Sequence, residues 1–491
     1  MYGQGQPQYG ITPAMMKWVF DELKWRTNQY AESGIVESYV GGVMKVDSPD
    51  ILELLAGLKQ HAAILEAVPK EEADWHPGSN NCVLDLVHPS LFPLMYGVTR
   101  ISSTVLQLSE AVSSGGENYT IAVDVNEELS SSWSKQYQWL PCNFSTSDAK
   151  ITSYINNLHP EHHKSLYGII EQAIVHSIPL WNRTCERVLY ESEDWVHANI
   201  RRIPIPGHIL RDEQYRPVRL DAEKCSPEEW TTFIGDAPDF ATSAWLKHEK
   251  DSASAARLDL KTQFSKLQVI VKLANIHLTP EQPTYEGGSW HVEGMMNERI
   301  VATSLLYYDM DNVTESRLAF RMQVEAQDLG EDLAYEQGQF RFVNEIFGML
   351  NDEAAVQELG SVLCKEGRMI SFPNVLQHRV EPFSLLDKTK KGHRKILALF
   401  LCDPTNEIIS TERVAPQRKD WWQQELMNGA PNRLHKLPQE LKNQVFTNVD
   451  YPLSMEEAKE VRLRLMEERK HFVGKHTSDI FGQSSFSLCE H

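Results

Sequence analysis

Apolar residues recur at helical spacing early in the chain. Met15, Trp18, Val19 and Leu23 fall on one side of residues 11–26, the i, i+3, i+4 pattern by which one face of a helix meets a core. A second helix is predicted after Ser48-Pro49-Asp50, with Ser48 as its N-cap, Pro49 in its first turn and Ile51, Leu54, Leu55 and Leu58 as its stripe. Residues 75–100 carry Pro, Gly and His among short apolar runs and read as compact loop with short strands. Residues 113–117 and 127–139 are polar breaks. Helical spacing returns over 160–189, with Tyr167, Ile170, Ala173 and Ile174 on one side.

From residue 266 the pattern changes to that of strands. Residues 267–278 (LQVIVKLANIHL), 300–309 (IVATSLLYYD), 317–324, 367–372 and 395–402 are rich in β-branched and aromatic residues, separated by Gly, Pro and Asn. An acidic insertion over 325–363, expected to be partly helical, interrupts them. Near the end, Ser454-x-x-Glu457 is a capping box at the head of a helix over 454–470. Four regions follow: a disordered start at 1–10, a mixed and mainly helical region at 11–265, a β-rich core at 266–405 and a helical extension at 406–491. The fold class is α+β, with a helical N-terminal half and a helical C-terminal cover around a β-barrel-like core.

The chain has 491 residues, 41% hydrophobic and 24% charged, which fits a globular protein. Its net charge of −20 opposes binding to phosphate backbones and makes nucleic acid a poor partner. No run approaches the roughly 18–20 apolar residues that span a bilayer, and no secretory pattern is visible, so a cytoplasmic location with no membrane partner is expected. Seven cysteines, none in a CxxC pair, read as reduced thiols.

The chemistry concentrates in YEGGSWHVEGMMNE, residues 285–298. Read as a strand, this segment puts His291 and Glu293 on one face, because side chains alternate with a period of two. An imidazole and a carboxylate so placed are two adjacent metal ligands. A distant histidine would complete the two-His, one-carboxylate set that suits non-haem Fe(II) and leaves coordination positions open. His378, expected in a loop after the strand at 367–372, is the third ligand this reading selects. Arg394 begins an apolar strand and shares a face with Ile396, Ala398 and Phe400, while Lys395 points the other way, toward solvent. An inward guanidinium among apolar neighbours requires a buried anion, since an unpaired buried charge is costly.

At His291-x-Glu293, His378 and Arg394 the sequence resembles the Fe(II)/2-oxoglutarate-dependent dioxygenase superfamily, over about residues 266–405. The resemblance implies a double-stranded β-helix, or cupin-like jelly roll, and Fe(II) held by His291, Glu293 and His378. It implies 2-oxoglutarate as co-substrate, with its distal carboxylate on Arg394, which a guanidinium can grip through two bonds. Asn275 and Tyr285 sit ahead of the HxE as an Asn and a Tyr do in some members, where they hold co-substrate or shape the site. Dioxygen and a small-molecule substrate would be the partners. Over nearly its whole length the chain also resembles a mainly fungal family of uncharacterised proteins, through WHPGS at 75–79, LVHPS at 86–90, YEGGSWHVEG at 285–294, NERIVAT at 297–303 and the 454–470 helix.

Other features read more plainly. His159, His162 and His163 in HPEHH lack the HExxH order of a zinc helix and suit a surface helix start. His76 and His88 lie among Pro and Gly and suit loop architecture better than a second metal site. The basic run over 388–395 suits a solvated loop. Tyr307 and Tyr308 alternate on their strand, so one of the two faces the cavity. An oxygenase acting on a protein side chain, and a β-helix kept only for binding or scaffolding, are the competing functions.

Overall fold

The computed structural model describes residues 13–39, 41–47, 49–69, 71–113, 119–122, 132–189, 239–243, 245–247, 249–250, 258–324, 354–428 and 433–479. The three long helices of the N-terminal half are α1 (Pro13–Ser33), α2 (Leu52–Glu66) and α3 (Lys164–Leu189). The early strands are β1 (Ile35–Tyr39), β2 (Val43–Asp47), β3 (Val83–Val87), β4 (Leu94–Met95), β5 (Arg100–Ser102), β6 (Tyr119–Ile121), β7 (Tyr137–Gln138), β8 (Cys142–Ser145) and β9 (Lys150–Ile151). The later ones are β10 (Lys266–Leu278), β11 (Thr284–Tyr285), β12 (Ile300–Asp311), β13 (Ser316–Gln323), β14 (Val356–Cys364), β15 (Arg368–Pro373), β16 (Gln377–Val380), β17 (Phe383–Ser384) and β18 (Gly392–Cys402).

Nine strands form one antiparallel sheet in the order β1-β2-β15-β12-β18-β10-β8-β9, with β3 also pairing β10. A second sheet has the order β14-β13-β16, and β11 pairs β17 beside it. The protein is thus a mixed α/β structure with antiparallel sheets, and the described strands do not close into a barrel. The N-terminal half, expected to be mainly helical, also supplies β1, β2, β3, β8 and β9 to the large sheet. Its short runs of strand fall below the length at which alternation can be told from loop. Most of the expected acidic insertion lies outside the described residues, but its last part is strand β14 and not helix. The start at 1–10 and the cap at Ser48 also lie outside them.

The strands explain the layers. In β10, Leu267, Val269, Val271 and Leu273 pack with Leu397, Leu399 and Leu401 of β18 against α2 and α3. The alternate residues point the other way: Ile270, Ala398 and Phe400 join Tyr307, Phe320 and Phe372 in a second cluster between the two sheets. Apolar residues on both faces make these strands continuous hydrophobic runs. The helix Met455–Asp479 closes one side of that interior through Ala458, Val461 and Leu465. Its capping box forms: Ser454 N donates to Glu457 Oε2 at 2.7 Å, and Glu457 N donates to Ser454 Oγ at 3.2 Å. Two arginines, Arg462 buried and Arg469 half-buried, pin it further along. Arg462 donates to both oxygens of Asp74 at 2.7 and 2.8 Å, and Arg469 bonds Glu298 and lies 3.8 Å over the Trp139 ring.

His159 is buried rather than on the surface. Its Nδ1 accepts from Glu161 N at 3.2 Å and His162 N at 3.3 Å, capping the turn that leads into α3. Burial, and then His162 and His163, hold this ring down to about 4. A group whose folded value lies below its unfolded value near 6.5 stabilises the fold fully above that pH and loses the contribution as pH falls toward 4. We expect the melting temperature to fall across that window. We expect a shallower fall in His159→Asn, which keeps an acceptor for the cap but does not titrate. Thermal unfolding from pH 7 to pH 4 measures both.

Candidate metal centre

Residues 286–290 are not a strand, contrary to the expectation, and His291 is held by a single bridge to β16. His291 N donates to His378 O at 3.2 Å, and His378 N donates to His291 O at 3.0 Å. His378 itself lies in β16, opposite Phe320 of β13, and not in a loop. The glycines of YEGGS let this segment approach β16. Gly287 has φ of +93°, and a Cβ there would sit 2.9 Å from the Val380 carbonyl, to which Gly288 N donates at 2.9 Å. Glu293 is fixed by Asn374 through two bonds. Its backbone N donates to Asn374 Oδ1 at 2.8 Å, and Asn374 Nδ2 donates to its carbonyl at 2.9 Å.

The three side chains meet. Glu293 Oε1 is 3.4 Å from His378 Nε2 and 3.9 Å from His291 Nε2, the two rings lie 4.3 Å apart, and ligand atoms of all three residues fall within 4.8 Å of one another. His291 Nδ1 is 2.8 Å from the Ser289 carbonyl, which places the ring proton there and leaves Nε2 with a lone pair toward Glu293. Burial and the adjacent His378 hold His291 down to about 4, so the ring is neutral at neutral pH. Burial works against ionisation of Glu293, but the two imidazoles bring its carboxyl to about 2. A neutral imidazole at His291 and an ionised carboxylate at Glu293 are protonation states a divalent cation requires. The donor set, two nitrogens and one oxygen converging with one side open, fits Fe(II).

Arg394 is 2% exposed. Its Nη2 lies 3.3 Å from the Tyr307 hydroxyl and 3.9 Å from Cys364 Sγ, and its guanidinium lies over the Tyr307 and Phe383 rings at 4.9 and 5.8 Å. Its Nε has no partner, and among the described residues its side-chain partners are Tyr307 and Cys364, not a carboxylate. Tyr307 belongs to the same inter-sheet cluster as Phe320 and Phe372. His378 packs on both of these, with ring centroids 6.5 and 4.6 Å away, so Arg394 and His378 border one interior. Tyr285 packs on Phe383, 5.3 Å between rings, at the Arg394 end.

Asn275 is not brought to this interior. It faces the helices, where its Nδ2 donates to Glu66 at 2.8 Å and its Oδ1 accepts from Tyr308 at 2.9 Å. Its odd position on β10 puts it beside Lys395. Lys395 is not solvent-directed as expected, because α2 covers that face and the ammonium pairs with Glu66 and Asp309 at 3.1 and 3.2 Å. Of the two tyrosines, Tyr307 faces the interior and Tyr308 the helices.

A second trio joins His76 and His88, weighed in the sequence, to Asp85, which the sequence reading did not single out. Asp85 Oδ2 is 2.8 Å from His76 Nδ1 and 4.0 Å from His88 Nε2. His88 Nδ1 accepts from Ser90 N at 3.1 Å, which assigns the ring proton to Nε2 and removes the lone pair a metal would need. This trio is therefore a hydrogen-bonded Asp–His pair with a buried neutral His88 beside it, not a second metal site.

Among the described residues no helix is long and apolar enough to cross a membrane, and the five described cysteines, all buried, are free thiols.

No curated protein matches the sequence. Among solved structures, the Fe(II)/α-ketoglutarate-dependent dioxygenase TqaL is 10% identical over 81% of this chain and 94% of its own, with a TM-score of 0.27. IDO from Bacillus thuringiensis is 9% identical over 81% of this chain and 98% of its own, with a TM-score of 0.26. An oxidoreductase of the 2OG-Fe(II) oxygenase family from Burkholderia pseudomallei is 10% identical over 43% of this chain and 68% of its own, with a TM-score of 0.16. At TM-scores this low, likeness to those enzymes gives no ground for assigning their activity. A family model described as "Protein of unknown function (DUF4246)" matches residues 13–425, and the chain belongs to that family.

Proposed function

We propose that this protein is an Fe(II)- and 2-oxoglutarate-dependent oxygenase, a hydroxylase or desaturase, acting on a small molecule. The observation that carries the reading is the buried Arg394, with no carboxylate partner among the described residues, on the same interior as the His291–Glu293–His378 trio. An uncompensated buried guanidinium costs several kcal/mol, on the order of the effective desolvation penalty for one ion, unless an anion joins it. A dicarboxylate reaching from the trio to Arg394 supplies that anion, and 2-oxoglutarate is one whose keto acid end can chelate a metal. The two antiparallel sheets with the trio between them support a double-stranded β-helix core.

The chemistry that iron and 2-oxoglutarate supply together is oxidation of a C–H bond by dioxygen, with 2-oxoglutarate going to succinate and carbon dioxide. The chain's own residues do the rest. His291, Glu293 and His378 would hold the metal on one side only, Asn374 and the Ser289 carbonyl orient two of those ligands, and Arg394 with Tyr307 would anchor the co-substrate's far end. The helix Met455–Asp479 packs over the interior, which favours a small molecule over a docked polypeptide.

Purified protein given Fe(II), 2-oxoglutarate and oxygen should form succinate slowly even without prime substrate. Absence of both iron binding and this uncoupled turnover would remove the proposal.

A further inference from the structure

We propose that the C-terminal helix belongs to the metal centre: Arg469 is a positioning residue that, through Glu298, holds the turn following the ligand Glu293. This rests on the metal-site reading and extends it to residues far from the trio in sequence. Asn374 fixes the backbone of Glu293 itself. The next two residues, Gly294 and Met295, are fixed by Glu298, which folds back over them. Its Oε2 accepts from Met295 N at 2.6 Å, and a Cβ on Gly294, whose φ is +68°, would lie 3.0 Å from the same oxygen. Its Oε1 accepts from Trp139 N at 2.8 Å and from Arg469 Nη2. Glu298 has no exposed surface, so its charge needs an answer inside the protein. Among the described residues Arg469 is the cation paired with it.

The preceding helix residue reaches the same turn by a second route. Glu468 accepts from Ser134 Oγ at 2.9 and 3.0 Å, Ser134 N donates to Asn297 Oδ1 at 2.6 Å, and Asn297 Nδ2 donates to Ser134 O at 2.8 Å. Met296 N donates to Ser132 O at 3.1 Å. Residues 468 and 469 thus clamp 295–298 at two points, directly behind Glu293. Arg462, two turns earlier on the same helix, is paired just as closely, but its partners Asp74 and Asp85 lead to His76 and not to the trio. The two arginines therefore separate holding the helix down from holding the metal ligand in place.

The test titrates Mn(II) alone into the full chain by calorimetry, well below the melting temperature, so that lost stability by itself leaves the affinity unchanged. Arg469→Met should bind Mn(II) about tenfold more weakly than the wild type, the low end of what loss of a group behind a ligand costs. Arg462→Met should lower the melting temperature but keep the Mn(II) affinity within about twofold, as expected for a site that does not couple to the trio. Glu298→Gln keeps the side chain's shape but offers one acceptor oxygen where Glu298 uses two, so it should weaken Mn(II) as well. It replaces Arg469→Met in the comparison if that variant does not fold. Wild-type affinity in Arg469→Met, or in Glu298→Gln where it stands in, would overturn the proposal. So would equal losses of affinity in Arg462→Met and Arg469→Met, which would make the helix a general support. A wild type that binds no Mn(II) overturns the metal-site reading itself, a result distinct from equal binding by wild type and variant.

Discussion

His378→Ala should abolish iron binding at working concentrations and with it all 2-oxoglutarate turnover. Loss of a group that merely orients a ligand typically costs ten- to a hundredfold in metal affinity, so loss of a ligand should cost more than about a hundredfold. His378 is the most enclosed of the three, its side chain 5% exposed between the Phe320 and Phe372 rings. It also shields Glu293, whose carboxylate it faces at 3.4 Å. Truncation leaves a cavity beside those aromatics, so some thermal stability should be lost as well. His378→Gln separates the two effects, since it keeps most of the volume and lacks the imidazole. Metal titration monitored by calorimetry should show about one Fe(II) or Mn(II) per wild-type chain and none for either variant. A wild-type stoichiometry in His378→Gln would place the metal elsewhere.

Arg394→Met should have two effects of opposite sign. Affinity for 2-oxoglutarate should drop by roughly thirty- to several-thousandfold, the equivalent of about 2–5 kcal/mol for removing one partner of a buried charge pair. The co-substrate-free protein should become more stable, on the order of 1–4 kcal/mol, because an apolar side chain of similar length replaces a buried charge. Among the described residues, the guanidinium has only the Tyr307 hydroxyl, Cys364 Sγ and two aromatic faces to set against its desolvation. Wild-type melting temperature should therefore rise with added 2-oxoglutarate, and that of Arg394→Met should start higher and stay flat. A purely structural arginine would give the reverse, with a less stable variant and no change in response to 2-oxoglutarate. Denaturant unfolding with and without the dicarboxylate distinguishes these cases.

How far the sequence revealed this site follows from the range over which each signal acts. The HxE pair and Arg394 were legible because residue type and spacing alone carry them. The period of two in β18 correctly sent Arg394 inward with Ala398 and Phe400. The same rule applied to β10 would have sent Asn275 outward. The family resemblance drew attention to Asn275, and its partners, Glu66 and Tyr308, come from elements more than thirty positions away. Lys395 was misjudged for a related reason: whether the outer face of a strand meets water or a helix depends on where α2 packs. Asp85 and the arginines of the C-terminal helix were illegible because nothing local marks them. Their roles arise only when residues 74–88 and 462–469 are brought together, through Arg462 to Asp74 and Asp85.

The most direct measurement is a crystal structure of the protein grown anaerobically with Fe(II) and 2-oxoglutarate. It should place one metal about 2.0–2.2 Å from nitrogens of His291 and His378 and a Glu293 oxygen, distances typical of such ligands. The far carboxylate of 2-oxoglutarate should lie against the Arg394 guanidinium. A metal bound instead at His76, Asp85 and His88, or 2-oxoglutarate seated away from Arg394, would contradict the account.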